Sequence, residues 1–515
     1  MSAAAARPSG FVASWLAAAG GLLQTASFAP LNAWPLQILG LALLVVALHG
    51  APPWRAAWLG WCFGFCWLSS GMWWLFISMH QFGNLPAPLA AAAVALLASA
   101  LALYYALAAA LWSRLCALPA HPSAATDALL FVACWTLAEL ARGVLLTGFP
   151  WIAGGYAHTD GPLAAWAPWI GVYGIAALAA WIAAAVGVAW QQRRRPLRAA
   201  ARMLLPLAAV AAGHVLPGEF TRSSGYLSVT LLQPNVAQDL KFEPAQVERV
   251  LRWHRDALAA ARGTLVLTPE SSIPLPLRFL DAGSLAALRA PFAQGDRAAL
   301  IGLFVGNDEQ GYTNSVVGLS VASDPSRGDF YRYGKRHLLP FGEFIPPGFG
   351  WFVQAMNIPI GDQAPGGSLE PLVVAGQRVR PLICYEDLFA EDIVGSVVGD
   401  GAATVLANVT NLAWFGAAMV QDQHLQFSRM RAIELQRPIV RATNTGATAV
   451  VDHRGRVSAR LPPLVEGSLE ALVEGRVGAT PYARWLAKWG LWPLALCGAA
   501  LIGTALIVRR RGAAP

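Results

Sequence analysis

The chain has 515 residues, 56% of them hydrophobic and 13% charged, about half the charged share of a soluble globular protein. Its net charge of +8 comes from residues 1–216 (nine arginines, three acidic residues) and 485–515 (four basic residues, no acidic one), while 217–484 is slightly acidic with 24 basic and 26 acidic residues. The composition excludes a wholly soluble protein, and the acidic polar stretch lacks the basic face that nucleic-acid binding requires.

A membrane-crossing helix needs about 20 apolar residues. Apolar segments at 11–28, 34–50, 58–79, 86–112, 127–147, 163–190, 200–216 and 488–508 predict eight crossings. Arg7 ahead of the first run has the look of a signal peptide, but further runs follow at once, which favours a retained first span. The seventh segment is the weakest, with Pro206 and His214 inside it and Arg202 at its start. Charge asymmetry sets the parity. With the N-terminus in the cytoplasm, the inner segments hold Arg7, Arg55, Arg114, Arg193, Arg194, Arg195, Arg198, Arg202, Arg509, Arg510 and Arg511, and the short outer loops hold only Arg142. Losing the seventh span would put the arginine tail outside. The expectation is therefore a seven-span domain over 1–216, a polar domain over 217–484 on the outer face, and a last span with a basic cytoplasmic tail over 485–515. In a bacterium the outer face is the periplasm. Trp34, Trp54, Trp73, Trp74, Trp151, Trp166, Trp169, Trp485, Trp489 and Trp492 lie near span ends, as an interfacial belt would. Glu139 and Arg142, three apart near the outer end of the fifth span, read as a mutually neutralising pair or as a contact for a lipid headgroup.

Within the polar domain the hydrophobic pattern predicts strands at 226–233, 264–268, 299–305, 314–319, 380–383, 404–407, 439–443 and 448–452. Helices are predicted at 243–262 and 421–436, and a turn at Asp452-His453-Arg454-Gly455. Short strands mixed with helices suggest an α/β sandwich. Three polar motifs follow strands or their neighbours: Pro269-Glu270-Ser271, Gly334-Lys335 with the tail Leu339-Pro340-Phe341-Gly342-Glu343, and Cys384-Tyr385-Glu386. Functional groups of α/β sheets gather at the carboxyl ends of strands, so the three motifs can meet.

Cys384 is the one cysteine of the polar domain; Cys62, Cys66, Cys116, Cys134 and Cys497 lie in apolar runs. Free cysteines are most often inert and buried. In an oxidising compartment, however, a lone thiol escapes intramolecular pairing, as a nucleophile must. Such a thiol needs a base, an oxyanion donor and fixed geometry. Glu270 can be the base, Lys335 the cationic donor and the Tyr385 N–H a second donor. Lys335 is also expected to lower the thiol pKa. The competing arrangement pairs Cys384 with His337, His424 or His453, though none has a context that demands it. Arg429, Arg431 and Arg437 read as solvated or structural, and Asn408 and Asn411 as supports of the loop beside Cys384. No metal-ligand spacing and no phosphate-binding glycine loop is present, so neither a metal nor a cofactor is expected.

At these residues the chain resembles the apolipoprotein N-acyltransferases, a membrane-embedded branch of the nitrilase (carbon–nitrogen hydrolase) superfamily. The likeness covers nearly the whole chain. It runs in order through Gly148-Phe149-Pro150-Trp151, Pro269-Glu270-Ser271, Lys335 to Glu343, Cys384-Tyr385-Glu386, Asn408 to Gly416, Arg429-Met430-Arg431-Ala432, Arg437-Pro438 and Arg441-Ala442-Thr443-Asn444-Thr445-Gly446. The resemblance implies a polytopic α-helical membrane domain with a nitrilase-like αββα sandwich, and a Glu270–Lys335–Cys384 triad supported by Glu343, Tyr385 and Glu386. Two positions depart from the family pattern: Phe242 stands for a tryptophan, and Leu412 for an acidic residue.

The implied reaction is a ping-pong acyl transfer. Cys384 attacks the sn-1 ester of a phospholipid, with phosphatidylethanolamine as the expected donor, and the thioester acylates the N-terminal amine of an S-diacylglyceryl-cysteine apolipoprotein. The apolar stretch 344–360 reads as a mobile arm dipping into the outer leaflet, or as a loop packed on the protein. Trp151, Phe242, Phe349, Trp351, Trp414 and Phe415 are candidate substrate contacts; Trp414 and Phe415 could equally fill the core. Nothing in the sequence demands more than a monomer. The rival readings are a membrane-tethered amidase acting on a small C–N substrate with the same triad, and a catalytically silent lipid- or lipoprotein-binding module.

Overall fold

A computed structural model describes residues 9–118, 124–194, 196–239, 244–324, 328–348, 350 and 363–511. Phe242, Phe349, Trp351 and most of the predicted arm lie outside the described residues. The chain divides into two compact units, one of 1–76, 87–219 and 488–515, the other of 77–86 and 220–487.

The first unit is helical. Helices stand at every predicted apolar segment: α1 (Gly10–Ala26), α2 (Pro35–Leu48), α3 (Pro53–Gly71), α4 (Ala87–Cys116), α5 (Ala124–Val144), α6 (Ala167–Gln191), α7 (Pro196–Val215) and, after the second unit, a long C-terminal helix (Trp492–Arg511). Among the described residues three helices are long and apolar enough to cross a membrane, or up to five if each of two bent pairs is one span. The 14 residues of α2 rise only about 21 Å, at about 1.5 Å each, against a hydrocarbon core of about 30 Å. Close packing relies on small residues: a Cβ at Gly60 of α3 would sit 2.4 Å from the Tyr105 carbonyl of α4.

Glu139 and Arg142 on α5 are both buried and lie 3.6 Å apart. Glu139 accepts from the Gly154 N–H at 2.8 Å and from the Tyr105 hydroxyl. Arg142 donates to the carbonyls of Phe149 (2.7 Å) and Trp151 (2.9 Å). The neutralising pair is thus the reading that holds, and it ties down the Gly148–Trp151 motif.

The second unit holds two six-stranded mixed sheets. The first contains β1 (Thr221–Gln233), β2 (Leu265–Leu267), β3 (Ala298–Asn307), β4 (Gly311–Ser320), β5 (Tyr331–Gly334) and β12 (Gly467–Gly478), in the order β12-β1-β2-β3-β4-β5. The second contains β6 (Leu372–Val374), β7 (Gln377–Ile383), β8 (Val405–Thr410), β9 (Ile439–Thr443), β10 (Ala449–Val451) and β11 (Val457–Arg460), in the order β11-β10-β9-β8-β7-β6. In each sheet the central strands are parallel, β1-β2-β3 and β7-β8-β9. Alternation builds the layers. Leu227, Val229, Leu231, Leu265, Leu267 and Leu300 face the other sheet, where Val379, Ile383, Val405, Ala407 and Val440 meet them. The intervening Val266, Ala299 and Ile301 face outward onto α8 (Pro244–Ala260) and α9 (Ala282–Arg289) through Leu258 and Leu288. Asp281 caps α9, accepting from the Ser284 N–H at 2.9 Å. On the far side of the second sheet lies α10 (Val420–Leu435). This is the sandwich expected from the resemblance.

Strands 5, 6, 11 and 12 were not predicted. β12 pairs along nearly all of β1, from Thr221↔Gly478 to Gln233↔Gly467. It is an edge strand with one face in solvent, and its residues Gly-Ser-Leu-Glu-Ala-Leu-Val-Glu-Gly-Arg-Val-Gly lack a long apolar run.

Candidate active site

The sheets deliver their polar residues to one end. β2 leads to Glu270, β5 to Lys335, β7 to Cys384 and β8 to Asn411. Lys335 is buried, with Nζ 2.7 Å from Glu343 Oε1 and 3.5 Å from Glu270 Oε1. Asn314 on β4 bridges the two carboxylates, donating to Glu270 at 2.7 Å and to Glu343 at 3.2 Å. Backbone N–H groups take the remaining oxygens, Asn411 to Glu270 Oε2 (2.9 Å) and Leu339 to Glu343 Oε2 (2.8 Å). Burial alone would push the Lys335 ammonium down, but Glu343 and Glu270 hold it well above its usual value.

Cys384 opens a 3₁₀ turn, Cys384–Leu388, with a φ of 55°, a left-handed backbone that non-glycine residues rarely take. Two brackets hold it there. Asn408 Nδ2 donates to the Cys384 carbonyl at 2.8 Å. Glu386 accepts from the N–H groups of Ile383 (2.7 Å) and Arg336 (2.7 Å) and from the Tyr333 hydroxyl (2.8 Å). Glu386 thereby ties the turn after β7 to the segment after β5 that carries Lys335. Tyr385 lies with its ring centroid 5.7 Å from Lys335 Nζ and donates to the Leu338 carbonyl at 3.0 Å.

The thiol pKa departs from expectation. Burial and the Glu270 carboxylate push it up, Lys335 pulls it down, and the net result lies well above the usual value. Lys335 acts in the foreseen direction but is outweighed by burial and by the Glu270 carboxylate. The resting group is a thiol, which makes a base necessary.

Each of the three candidate histidines lies against a carboxylate. His424 on α10 has Nε2 2.9 Å from Asp387 Oδ1 and Nδ1 3.1 Å from the Arg441 guanidinium. His337 stacks on Phe389 at 3.5 Å and meets Asp392 at 2.8 Å. His453 lies 3.9 Å from Glu474.

Behind the turn, Asp387 is fully buried and bound by His424, Ser428 and Arg441, whose NH1 is 3.1 Å away. Burial would raise the Asp387 carboxyl, but His424, Arg441 and Ser428 hold it below the usual range. Sequence reading missed this cluster and missed Asn314. Asp387 directly follows the Cys384-Tyr385-Glu386 triplet, a signal that could have been used; Asn314 sits within an ordinary strand and gave none.

Arg431 is buried against Glu434 at 2.6 Å, Arg437 donates to backbone carbonyls, and Arg429 donates to the Gly455 carbonyl at 2.8 Å. Asn411 Nδ2 donates to Gln238 at 2.8 Å, and Leu412 is buried. Trp414 is 39% exposed and meets Phe82 edge-on at 5.8 Å; Phe415 beside it is half-buried. Trp151 is buried against Trp74 in the helical unit.

Residues 20–185 match the family described as apolipoprotein N-acyltransferase N-terminal domain, and residues 228–482 match the carbon-nitrogen hydrolase family. Three similar proteins are named apolipoprotein N-acyltransferase. The one from Verminephrobacter eiseniae is 48% identical, with 92% of both chains covered. The one from Ralstonia nicotianae is 46% identical over 97% of this chain and 94% of its own. The one from Bordetella bronchiseptica is 40% identical over 98% and 99%. The chain belongs to the apolipoprotein N-acyltransferase family. Membership in that family makes it an acyltransferase with a carbon–nitrogen hydrolase domain, and the apolar helices fit a membrane protein.

Proposed function

We propose that the protein moves an acyl chain from a phospholipid to the N-terminal amine of a diacylglyceryl apolipoprotein, through a thioester on Cys384. The observation that carries this reading is the buried Lys335 held between Glu270 and Glu343 at the strand ends, the same end of the sheets at which Cys384 opens the turn after β7. Glu270 takes the thiol proton as sulfur attacks the sn-1 ester carbonyl. Lys335 and the Tyr385 N–H stabilise the oxyanion. The ester C–O bond breaks, the lysophospholipid oxygen takes the proton from Glu270, and the acyl group rests on sulfur. The incoming amine then attacks the thioester, loses a proton to Glu270, and the C–S bond breaks to return the thiol. Glu343 fixes Lys335, Glu386 fixes the turn, and Tyr385 packs on the ammonium. Trp414, 39% exposed, and Phe415 beside it contact the lipid, with phosphatidylethanolamine as donor. The helical unit crosses the inner membrane with both termini cytoplasmic, and a single copy suffices.

The match over residues 20–185 and the high cover of the acyltransferase relatives speak against a membrane-tethered amidase. The test is purified protein in detergent with phosphatidylethanolamine labelled in its sn-1 chain. Label should attach to the protein, leave with neutral hydroxylamine, be absent in Cys384→Ala, and pass to a diacylglyceryl peptide. A Cys384 that is alkylated but never acylated by any phospholipid would overturn the reading.

A further inference from the structure

A second polar cleft lies at the other end of the sheet from Cys384. It has a volume of about 290 Å3 and is walled by Arg378, Val397, Gly399, Ala402, Val477 and Arg484, a size at the small end of small-molecule sites, roughly 300–1,000 Å3. Arg378 stands at the start of β7 and Cys384 follows its end, six residues on, or roughly 20 Å at about 3.3 Å per residue. The cleft is therefore separate from the thiol.

Its charge is one-sided. Arg437, fully buried, lies behind the lining. It donates to the carbonyls of two lining residues, Val397 (3.1 Å) and Gly478 (2.6 Å), and to Ala403 (2.6 Å), with no carboxylate among its partners. Burial and the neighbouring Arg476 and Arg378 push its pKa down to about 10, so positive potential is in excess there. Arg378 Nε donates to the Ala402 carbonyl at 2.6 Å, and neither Arg378 nor Arg484 has an ion pair among the described residues. The one carboxylate in the cluster is Glu474, 3.5 Å from Arg476. No acidic side chain lines the cleft, and no aromatic ring lines it that could stack a nucleobase. Gly399, Ala402, Gly478 and Ala479 give small walls that let an anion approach the backbone, while Val397, Val398 and Val477 offer an apolar side.

The position narrows the anion to a lipid. Thr221↔Gly478 is the outermost pair of the β1–β12 ladder, so the cleft lies beside the residues where the chain enters the polar unit at Phe220, and Arg484 in its lining is three residues from that unit's end at Ala487. Arg484 itself projects from α11 (Pro481–Trp489), whose Tyr482, Ala483 and Leu486 are buried in the protein while Arg484, Lys488 and Trp489 are exposed, basic and aromatic residues of the kind that flank a membrane-crossing helix. The apolar C-terminal helix, α12 (Trp492–Arg511), follows directly.

We propose that this arginine cleft binds the phosphate of an anionic phospholipid headgroup, as a lipid site separate from the one that supplies the acyl chain. The proposal rests on membrane residence and not on the thioester chemistry.

The test is native mass spectrometry of the full-length protein in detergent, titrated with phosphatidylglycerol. Affinity should fall about fivefold in Arg484→Gln and about thirtyfold in Arg378→Gln/Arg484→Gln, following about 1 kcal/mol per interfacial arginine. Cys384→Ala should bind as the wild type does, so that the bound mass is intact lipid and not an acyl group on the thiol. Arg484 is exposed, so the single variant reports even if the double variant fails to fold. Unchanged affinity in Arg484→Gln overturns the proposal. So does complete displacement of the lipid by millimolar inorganic phosphate, which would make the free anion the ligand.

Discussion

The charge balance around Lys335 decides what each neighbouring residue does. One ammonium lies between two carboxylates that also collect N–H donors from Asn314, Asn411 and Leu339. Removing the cation in Lys335→Met leaves two buried carboxylates facing each other, and breaking such a pair costs about 3–5 kcal/mol. The expected result is a lowered melting temperature together with loss of hydroxylamine-labile acyl label; a variant that melts as the wild type does would show that the carboxylates are not held by this charge. The thiol gives a second, independent readout. Its pKa lies above the usual value because burial and Glu270 raise it more than Lys335 lowers it. The rate of Cys384 alkylation by iodoacetamide should keep climbing through pH 9 without levelling. Glu270→Gln removes the like charge, so its alkylation profile should move to lower pH while acylation is lost. A wild-type plateau below pH 8 would mean a preformed thiolate and no need for the base. Glu270, Lys335 and Cys384 were legible in the sequence because each follows a strand in a distinct motif. The direction of the thiol pKa was not, because it depends on burial and on the Glu270 carboxylate as well as on Lys335.

The turn after β7 is held from both sides, by Glu386 toward β5 and by Asp387 toward α10 and β9. Asp387, His424, Ser428 and Arg441 come from three elements that are well separated in sequence and all buried. This explains why the sequence showed the helix and the strand but not their shared carboxylate: α10 has apolar and polar residues buried all round, so its pattern announces no face. Asp387→Asn keeps the shape but takes the negative charge from beside a buried guanidinium. The pH dependence gives the sign. A carboxylate whose folded pKa is depressed contributes stability that is present above its unfolded pKa and is lost as pH falls through the folded one. The wild type should therefore lose stability between about pH 4 and lower values more steeply than Asp387→Asn, which should start less stable at pH 7. Parallel stability–pH curves for the two proteins would show that Asp387 is not paired in solution. Because the variant leaves Glu270 and Lys335 untouched, any loss of acylation should appear in kcat, with the shape of the pH–rate profile unchanged. Edge strands such as β12 were missed for a related reason: its ladder with β1 is backbone, and only Val473, Gly475 and Arg476 of its twelve residues are buried.

At the scale of the whole chain, composition alone divided an apolar arginine-flanked part from a polar one, and the strand-and-helix order of the polar part was largely readable. Short apolar runs with β-branched residues in 226–233 and 439–443 mark strands whichever partner they find. Membrane crossings are harder, since an apolar helix buried in a helical unit and one facing lipid carry the same residues. Helices occupy all eight apolar segments, yet α1 and α2 are short, and α7 carries Arg198, Arg202, Pro206 and His214. The count of eight therefore stands on arginine placement. That argument yields a sharp test of topology. Single cysteines introduced at Leu472, which is 65% exposed on β12, and at Ala513 in the tail should differ in intact cells treated with a membrane-impermeant maleimide, in a background lacking Cys384 and Cys497. Label at 472 and none at 513 until the cells are permeabilised is the expected outcome, because the last span must return the chain to the side that holds Arg193, Arg194 and Arg195. Label at 513 and none at 472 until the cells are permeabilised would place the polar domain inside and the tail outside. It would remove α7 as a crossing, leave Arg509, Arg510 and Arg511 on the wrong face for the charge rule, and reduce the eight helices to seven spans.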